Sequence, residues 1–123
     1  MADKVMFEVP EHPQFMNMSH LVGHITCSYR KLVDTFGRPN DADMEDCDKV
    51  WNAWTIEFNH YDAEDGGLER VVMASIYDWK ERHPLDSIER ATTRWHIGGY
   101  KREAEWLVHD AIDGKILQET DNG

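Results

Sequence analysis

Val72-Met73-Ala74-Ser75-Ile76-Tyr77-Asp78-Trp79-Lys80 decides the fold. Val72, Ala74 and Ile76 recur at every second position, and Val71, Met73, Ser75, Tyr77 and Trp79 fill the places between, the period of a strand with two unlike faces. The Ala and Ile on the first face suit packing by helices, while Tyr77 and Trp79 stand beside Ser75 on the second. Upstream, Asp65-Gly66-Gly67 is a turn signal inside a longer loop, so the run before it is expected to pair antiparallel. In that run Val50, Asn52, Trp54, Ile56 and Phe58 alternate with Trp51, Ala53, Thr55, Glu57 and Asn59, and Trp54, Ile56 and Phe58 form the core-facing set. Downstream, the polar segment Glu81–Thr93 with Pro84 is expected to leave the sheet before Arg94-Trp95-His96-Ile97-Gly98-Gly99 makes another short strand.

The flanks supply helices. Ser28 is an N-cap residue, and behind it Tyr29, Leu32, Val33 and Phe36 fall at i, i+3, i+4 and i+7 on one stripe; Gly37 and Pro39 provide the stop. From Tyr100 onward Ala104, Leu107, Val108, Ala111 and Ile112 mark a second amphipathic helix, closed near Gly114. Val5–Val9 reads as a short edge strand, which Pro10 and Pro13 keep from lying centrally. Leu21–Cys27 is a strand in which Val22 and Ile25 are too far out of phase to assign faces. The expected class is α+β: an antiparallel β-sheet packed by two α-helices on one face. The chain is one domain over residues 1–123, with 1–20 and 115–123 as its flexible ends.

Composition narrows the function. The 24 acidic against 13 basic residues leave a formal net charge of -11, which favours solubility and opposes non-specific binding to nucleic-acid backbones or anionic membranes. The N-terminus lacks a signal-peptide pattern, and no apolar run reaches the roughly 20 residues that span a bilayer. The two cysteines, Cys27 and Cys47, lack CxxC spacing and fit reduced thiols in a cytoplasmic protein.

Several chemical motifs fail on inspection. Asp41 and Asp43 copy the first two ligand positions of an EF-hand, but position six is Asp46 and position twelve is Asn52, so Asn40–Asp48 reads as a solvated acidic loop. His20 and His24 form an HxxxH pair on a segment that Gly23 and Ile25 make a poor helix, with no third ligand at a recognisable spacing. Cys27 beside a helix start would have a somewhat favoured thiolate, against the plainer reading of a half-buried packing residue. No nucleophile elbow, Walker motif or GxGxxG is present, and nothing compels catalysis.

What remains is Gly98-Gly99 before a helix, where glycines admit a ligand to the backbone and free amides attract anions. Arg94, Lys101 and Arg102 surround that point, and Tyr77, Trp79 and Trp95 offer flat surfaces on which a base can stack. The opposing reading is a tight turn beside core tryptophans. Arg102, Trp106, His109 and Asp113 form a second helical stripe, whose tryptophan calls for a cover and suggests a homo-oligomer.

Taken in order, Phe36-Gly37-x-Pro39, Lys49-Val50 with Trp54-x-Ile56-x-Phe58, Ala74–Lys80, and Trp95-His96-Ile97-Gly98-Gly99 resemble a family of small bacteriophage proteins related to the Thoeris anti-defence sponges. The likeness runs from Val22 to Ile112. It implies an oligomeric, non-enzymatic protein of the bacterial cytoplasm that sequesters a cyclic nucleotide-like immune signal, such as a cyclic ADP-ribose isomer. It needs no cofactor or metal. Trp79 and Arg102 carry over most directly, then Lys80, Arg94 and His96. With Tyr77, Gly98 and Gly99 they make up the expected ligand-binding set. The acidic loop Tyr61–Glu69 and the polar run after Lys80 depart from the family pattern at the pocket rim. The rival expectation is an acidic inhibitor that occupies a basic groove on a host defence nuclease or CRISPR effector; a hydrolase of the same signals ranks behind both.

Overall fold

The two alternating runs pair. Strands β3 (Ala53–Tyr61) and β4 (Leu68–Tyr77) are antiparallel, with Trp54 opposite Ile76, Ile56 opposite Ala74 and Phe58 opposite Val72. Between them Asp62 Oδ1 accepts the amides of Glu64 and Asp65, and Gly66 takes φ 74° to close the turn. The protein is seen in a computed structural model that describes residues 4–13, 19–41, 50, 52–78 and 92–119.

Strand β5 (Thr92–Gly99) pairs with β4 over Ala74–Tyr77, and β2 (His20–Ser28) pairs with β5, both antiparallel. On the other side β1 (Lys4–Glu8) lies antiparallel to β3, and β6 (Leu117–Gln118) runs parallel to β1. The sheet therefore has six strands in the order β2-β5-β4-β3-β1-β6 and is mixed, where the sequence pointed to an antiparallel one. The parallel pair forms because Ile116 is buried and pins the chain next to Met6 and Phe7. The expected frayed end thus carries a strand as far as Gln118. Beyond it the Glu119 amide donates to Phe7 O at 2.7 Å. By the same pairing β1 is flanked on both sides, not an edge, and Pro10 follows it without interrupting it.

Helix α1 (Tyr29–Phe36) follows β2 directly. Ser28 Oγ accepts the Lys31 amide at 3.1 Å, and Gly37, at φ 83°, donates its amide to Val33 O at 2.8 Å. Helix α2 (Glu103–Ile112) has no side-chain cap but carries Glu103 and Glu105 in its first turn, where the helix dipole favours acids. Leu32 and Phe36 of α1 and Ala104, Leu107, Val108 and Ala111 of α2 join one core with Trp54, Ile56, Phe58, Ile76, Trp95 and Ile97. Both buried indoles have a partner for their N–H: Trp54 donates to Gly37 O at 2.8 Å and Trp95 to Cys27 O at 3.0 Å.

Beyond Glu8 the neighbour of β3 is a side chain. Asn40 Oδ1 accepts the Thr55 amide at 2.8 Å, while Asn40 Nδ2 donates to Thr55 O at 3.0 Å and to Pro10 O at 2.7 Å. One carboxamide thus supplies the donor and the acceptor that a strand would have offered. Asp41 continues the pattern, its amide donating to Ala53 O and its carboxylate accepting the Thr55 hydroxyl at 2.6 Å.

Candidate functional site

Three strands align three ring side chains on the sheet face turned away from α2. Tyr77 of β4 lies opposite His96 of β5, and His96 lies opposite His24 of β2. The ring centroids are 5.5 Å apart for Tyr77–His96 and 4.8 Å for His24–His96, with both pairs edge to face. Arg94 joins them, its Nη2 3.3 Å from His24 Nδ1. A guanidinium only donates, so this contact is a hydrogen bond when His24 Nδ1 accepts and the ring proton sits on Nε2.

Gly98 belongs to the same face. A Cβ there would come within 2.5 Å of Ser75 Oγ, so its missing side chain makes room for that hydroxyl, while Tyr77 Cε1 would be met at an ordinary contact distance of 3.4 Å. Burial raises the Tyr77 hydroxyl above the ordinary tyrosine value, leaving a neutral O–H on a face that otherwise carries a cation and two imidazoles.

The expected set is thereby divided. Tyr77, Arg94, His96 and Gly98 are brought together. Gly99 points to the other face, where a Cβ would be 2.8 Å from Ala104 Cβ, so it seats α2 against the sheet. Arg102 is exposed at the N-cap of α2, the helix on that same opposite face. The glycine pair ends β5 as expected, with both glycines buried, but the helix begins at Glu103 and not at Tyr100 directly behind the pair. The amides of Ala104 and Glu105 already donate to the carbonyls of Lys101 and Arg102, both at 3.1 Å. Trp79 and Lys80 lie outside the described residues, as do residues 42–49 of the acidic loop.

The sequence missed His24 as a member of this row. The reason is physical: a register shift between Leu21 and Gly23 breaks the alternation of β2, which is why Val22 and Ile25 read out of phase. The signal that could have found it was Gly23, the kind of residue that marks a bulge in a strand. Two further residues went unnoticed. Glu105 Oε2 accepts the His24 amide at 3.0 Å, and His109 Nε2 lies 2.9 Å from His24 O.

Other chemical candidates resolve differently. Burial pushes the Cys27 thiol up to about 11, opposed only in part by Lys31, so the half-buried cysteine is a poor thiolate and not the activated one its place before a helix suggested. Among the described residues, no group of three or more His, Cys, Asp or Glu side chains is placed to hold a metal ion, and no helix is long and apolar enough to cross a membrane. A cleft of about 500 Å³ runs along Lys4, Met6, Tyr61 and Glu119, and another of about 310 Å³ along Arg70–Met73 and Tyr100. Neither includes a residue of the expected set.

No protein-family model, curated protein or solved structure matches the chain. Much of the motif likeness maps onto structural roles: Gly37 caps α1, Trp95 fills the core, and the fully buried Asp78 accepts the Asn52 amide at 2.9 Å and its side-chain N–H at 3.1 Å.

Proposed function

We propose that the protein is a non-catalytic binder of a small anionic, ring-bearing ligand, and that its purpose is to sequester a cyclic nucleotide-like immune signal in a phage-infected cell. The observation that carries this reading is the in-register row Tyr77–His96–His24 with Arg94 at its end. Flat rings across three strands offer stacking surfaces for a base, and Arg94 offers a charge-assisted partner for a phosphate. Burial raises the Tyr77 hydroxyl and so makes it a poor nucleophile, which favours holding a ligand over transforming it. Trp79 and Lys80, two and three residues after Tyr77, extend the proposed set along the chain.

Isothermal titration against cyclic ADP-ribose isomers and cyclic oligonucleotides tests the proposal. One member of the panel is expected to bind and to be recovered intact after heat denaturation, with Arg94→Ala and Tyr77→Ala each weakening it at least about tenfold, the scale of one charge-assisted hydrogen bond or one stacked base. Absence of binding across the panel overturns it. A salt-sensitive complex with a host nuclease in its place would favour the acidic-inhibitor reading.

A further inference from the structure

Strand β2 lies at the margin of the sheet, so backbone groups pointing away from β5 have no strand beside them among the described residues. At His24 helix side chains take both. The amide donates to Glu105 Oε2 at 3.0 Å, and the carbonyl accepts from His109 Nε2, 2.9 Å away. The carbonyl can only accept, so His109 carries its proton on Nε2. Glu105 and His109 are four residues apart and so stand one turn apart on the same side of α2.

Gly23 is part of the arrangement. A Cβ at that position would fall 1.8 Å from Glu105 Oε2 and 2.1 Å from its Cδ, so only glycine leaves the carboxylate its seat. The bulge between Leu21 and Gly23 sits next to it. Because both polar backbone groups of His24 are directed at α2, its pairing with His96 is of the non-hydrogen-bonded kind. Opposed side chains come closest in such pairs, in keeping with rings 4.8 Å apart.

We infer that Glu105 and His109 are positioning residues for the ligand face: by gripping the main chain of His24 from one side of the sheet, they set its imidazole against His96 and Arg94 on the other. The inference rests on the reading of that face as a binding surface, but its geometric part stands independently of any ligand. It makes α2 a control element for the site.

The test is amide hydrogen exchange and imidazole NMR on the whole protein, comparing wild type with Glu105→Ala, Glu105→Gln and Gly23→Ala, alongside titration with cyclic ADP-ribose isomers. In Glu105→Ala and Gly23→Ala the His24 amide is expected to exchange about tenfold faster, the size of one charge-assisted hydrogen bond. The His24 and His96 ring signals should shift although the substitutions lie outside the face. Glu105→Gln keeps an acceptor at the same place and should restore most of the protection, a rescue that general destabilisation would not give. Should Glu105→Ala fail to fold, the Gln and Gly23 variants carry the same comparison. Unchanged His24 exchange and unchanged ring signals in folded Glu105→Ala or Gly23→Ala overturn the inference. Shifted rings in a protein that binds no cyclic nucleotide leave the positioning intact and overturn the ligand reading alone.

Discussion

Asn40 and the Glu105–His109 pair meet the same need at two places. Each satisfies the N–H and C=O of one strand residue on the side where no strand lies beside it among the described residues, Thr55 in the first case and His24 in the second. Asn40 does so with a single neutral carboxamide, next to a threonine that is fully buried. The helix pair does so with two ionisable side chains, at a residue whose ring belongs to the candidate face. The difference separates a repair of the fold from a connection through it. A carboxamide has no alternative protonation state and faces Thr55 from the segment that follows α1. A carboxylate and an imidazole on a helix transmit whatever moves that helix.

The largest expected effect breaks the first of the two. Asn40→Ala leaves the Thr55 amide and carbonyl unsatisfied in a buried setting, and should lower unfolding free energy by about 2–4 kcal/mol. Urea denaturation measures it, and a loss below about 1 kcal/mol would mean that water replaces the carboxamide. Asn40→Asp sets a carboxylate oxygen against the carbonyls of Thr55 and Pro10 that Asn40 Nδ2 serves, so in the same urea series at neutral pH it should cost at least as much as Asn40→Ala.

Gly23→Ala comes next. It evicts the Glu105 carboxylate without touching the core, so a loss of about 1–2 kcal/mol is expected, the cost of stranding a half-buried amide. The same denaturation series reads the size, and exchange should report damage confined to β2 and α2. A uniform loss of protection across the sheet would show that this contact, too, is a repair of the fold. Glu105→Gln sharpens the point from the other side: about 0.5 kcal/mol or less by thermal melting, since one acceptor substitutes for another.

The smallest effect concerns the other acid in the first turn of α2. Glu103 binds the exposed Arg70 bidentately, both contacts at 2.7 Å, and these hydrogen bonds hold its carboxyl below the ordinary value. With Arg70 45% exposed, solvent screening limits the pair to about 0.5 kcal/mol. The sign follows from a depressed folded-state pKa: the contribution is complete above the unfolded value and disappears as pH falls through the folded one. The stability gap between wild type and Arg70→Met should therefore be constant near neutrality and close below about pH 4. A gap that persists at low pH would trace it to lost packing of the arginine stem.

Legibility in the sequence divides along the same line. Where side chains pack with a regular period, the reading held: Trp54, Ile56 and Phe58 are fully buried as expected, α1 starts at Ser28 and stops at Gly37, and Gly114 closes the turn after α2 at φ 81°. Where backbone groups are satisfied by side chains distant in the chain, no local pattern exists to read. Asn40 and Thr55 are 15 residues apart, and Glu105 and His24 are 81 apart. Strand β6 is too short to show a period. The glycine pair misled because its two members serve opposite faces, Gly98 making room for Ser75 and Gly99 for Ala104, a division that a turn reading merges.

The parallel β1–β6 pair has a practical consequence. The first and last strands of the sheet are neighbours at one margin, and β2 with the His24 row is at the other. A surface tether or fluorophore attached at the exposed Lys4 or Gln118 therefore sits on the β6 side of the sheet, away from β2. Immobilised-protein and fluorescence titrations can be built on those two positions, across the sheet from the His24 end of the ring row.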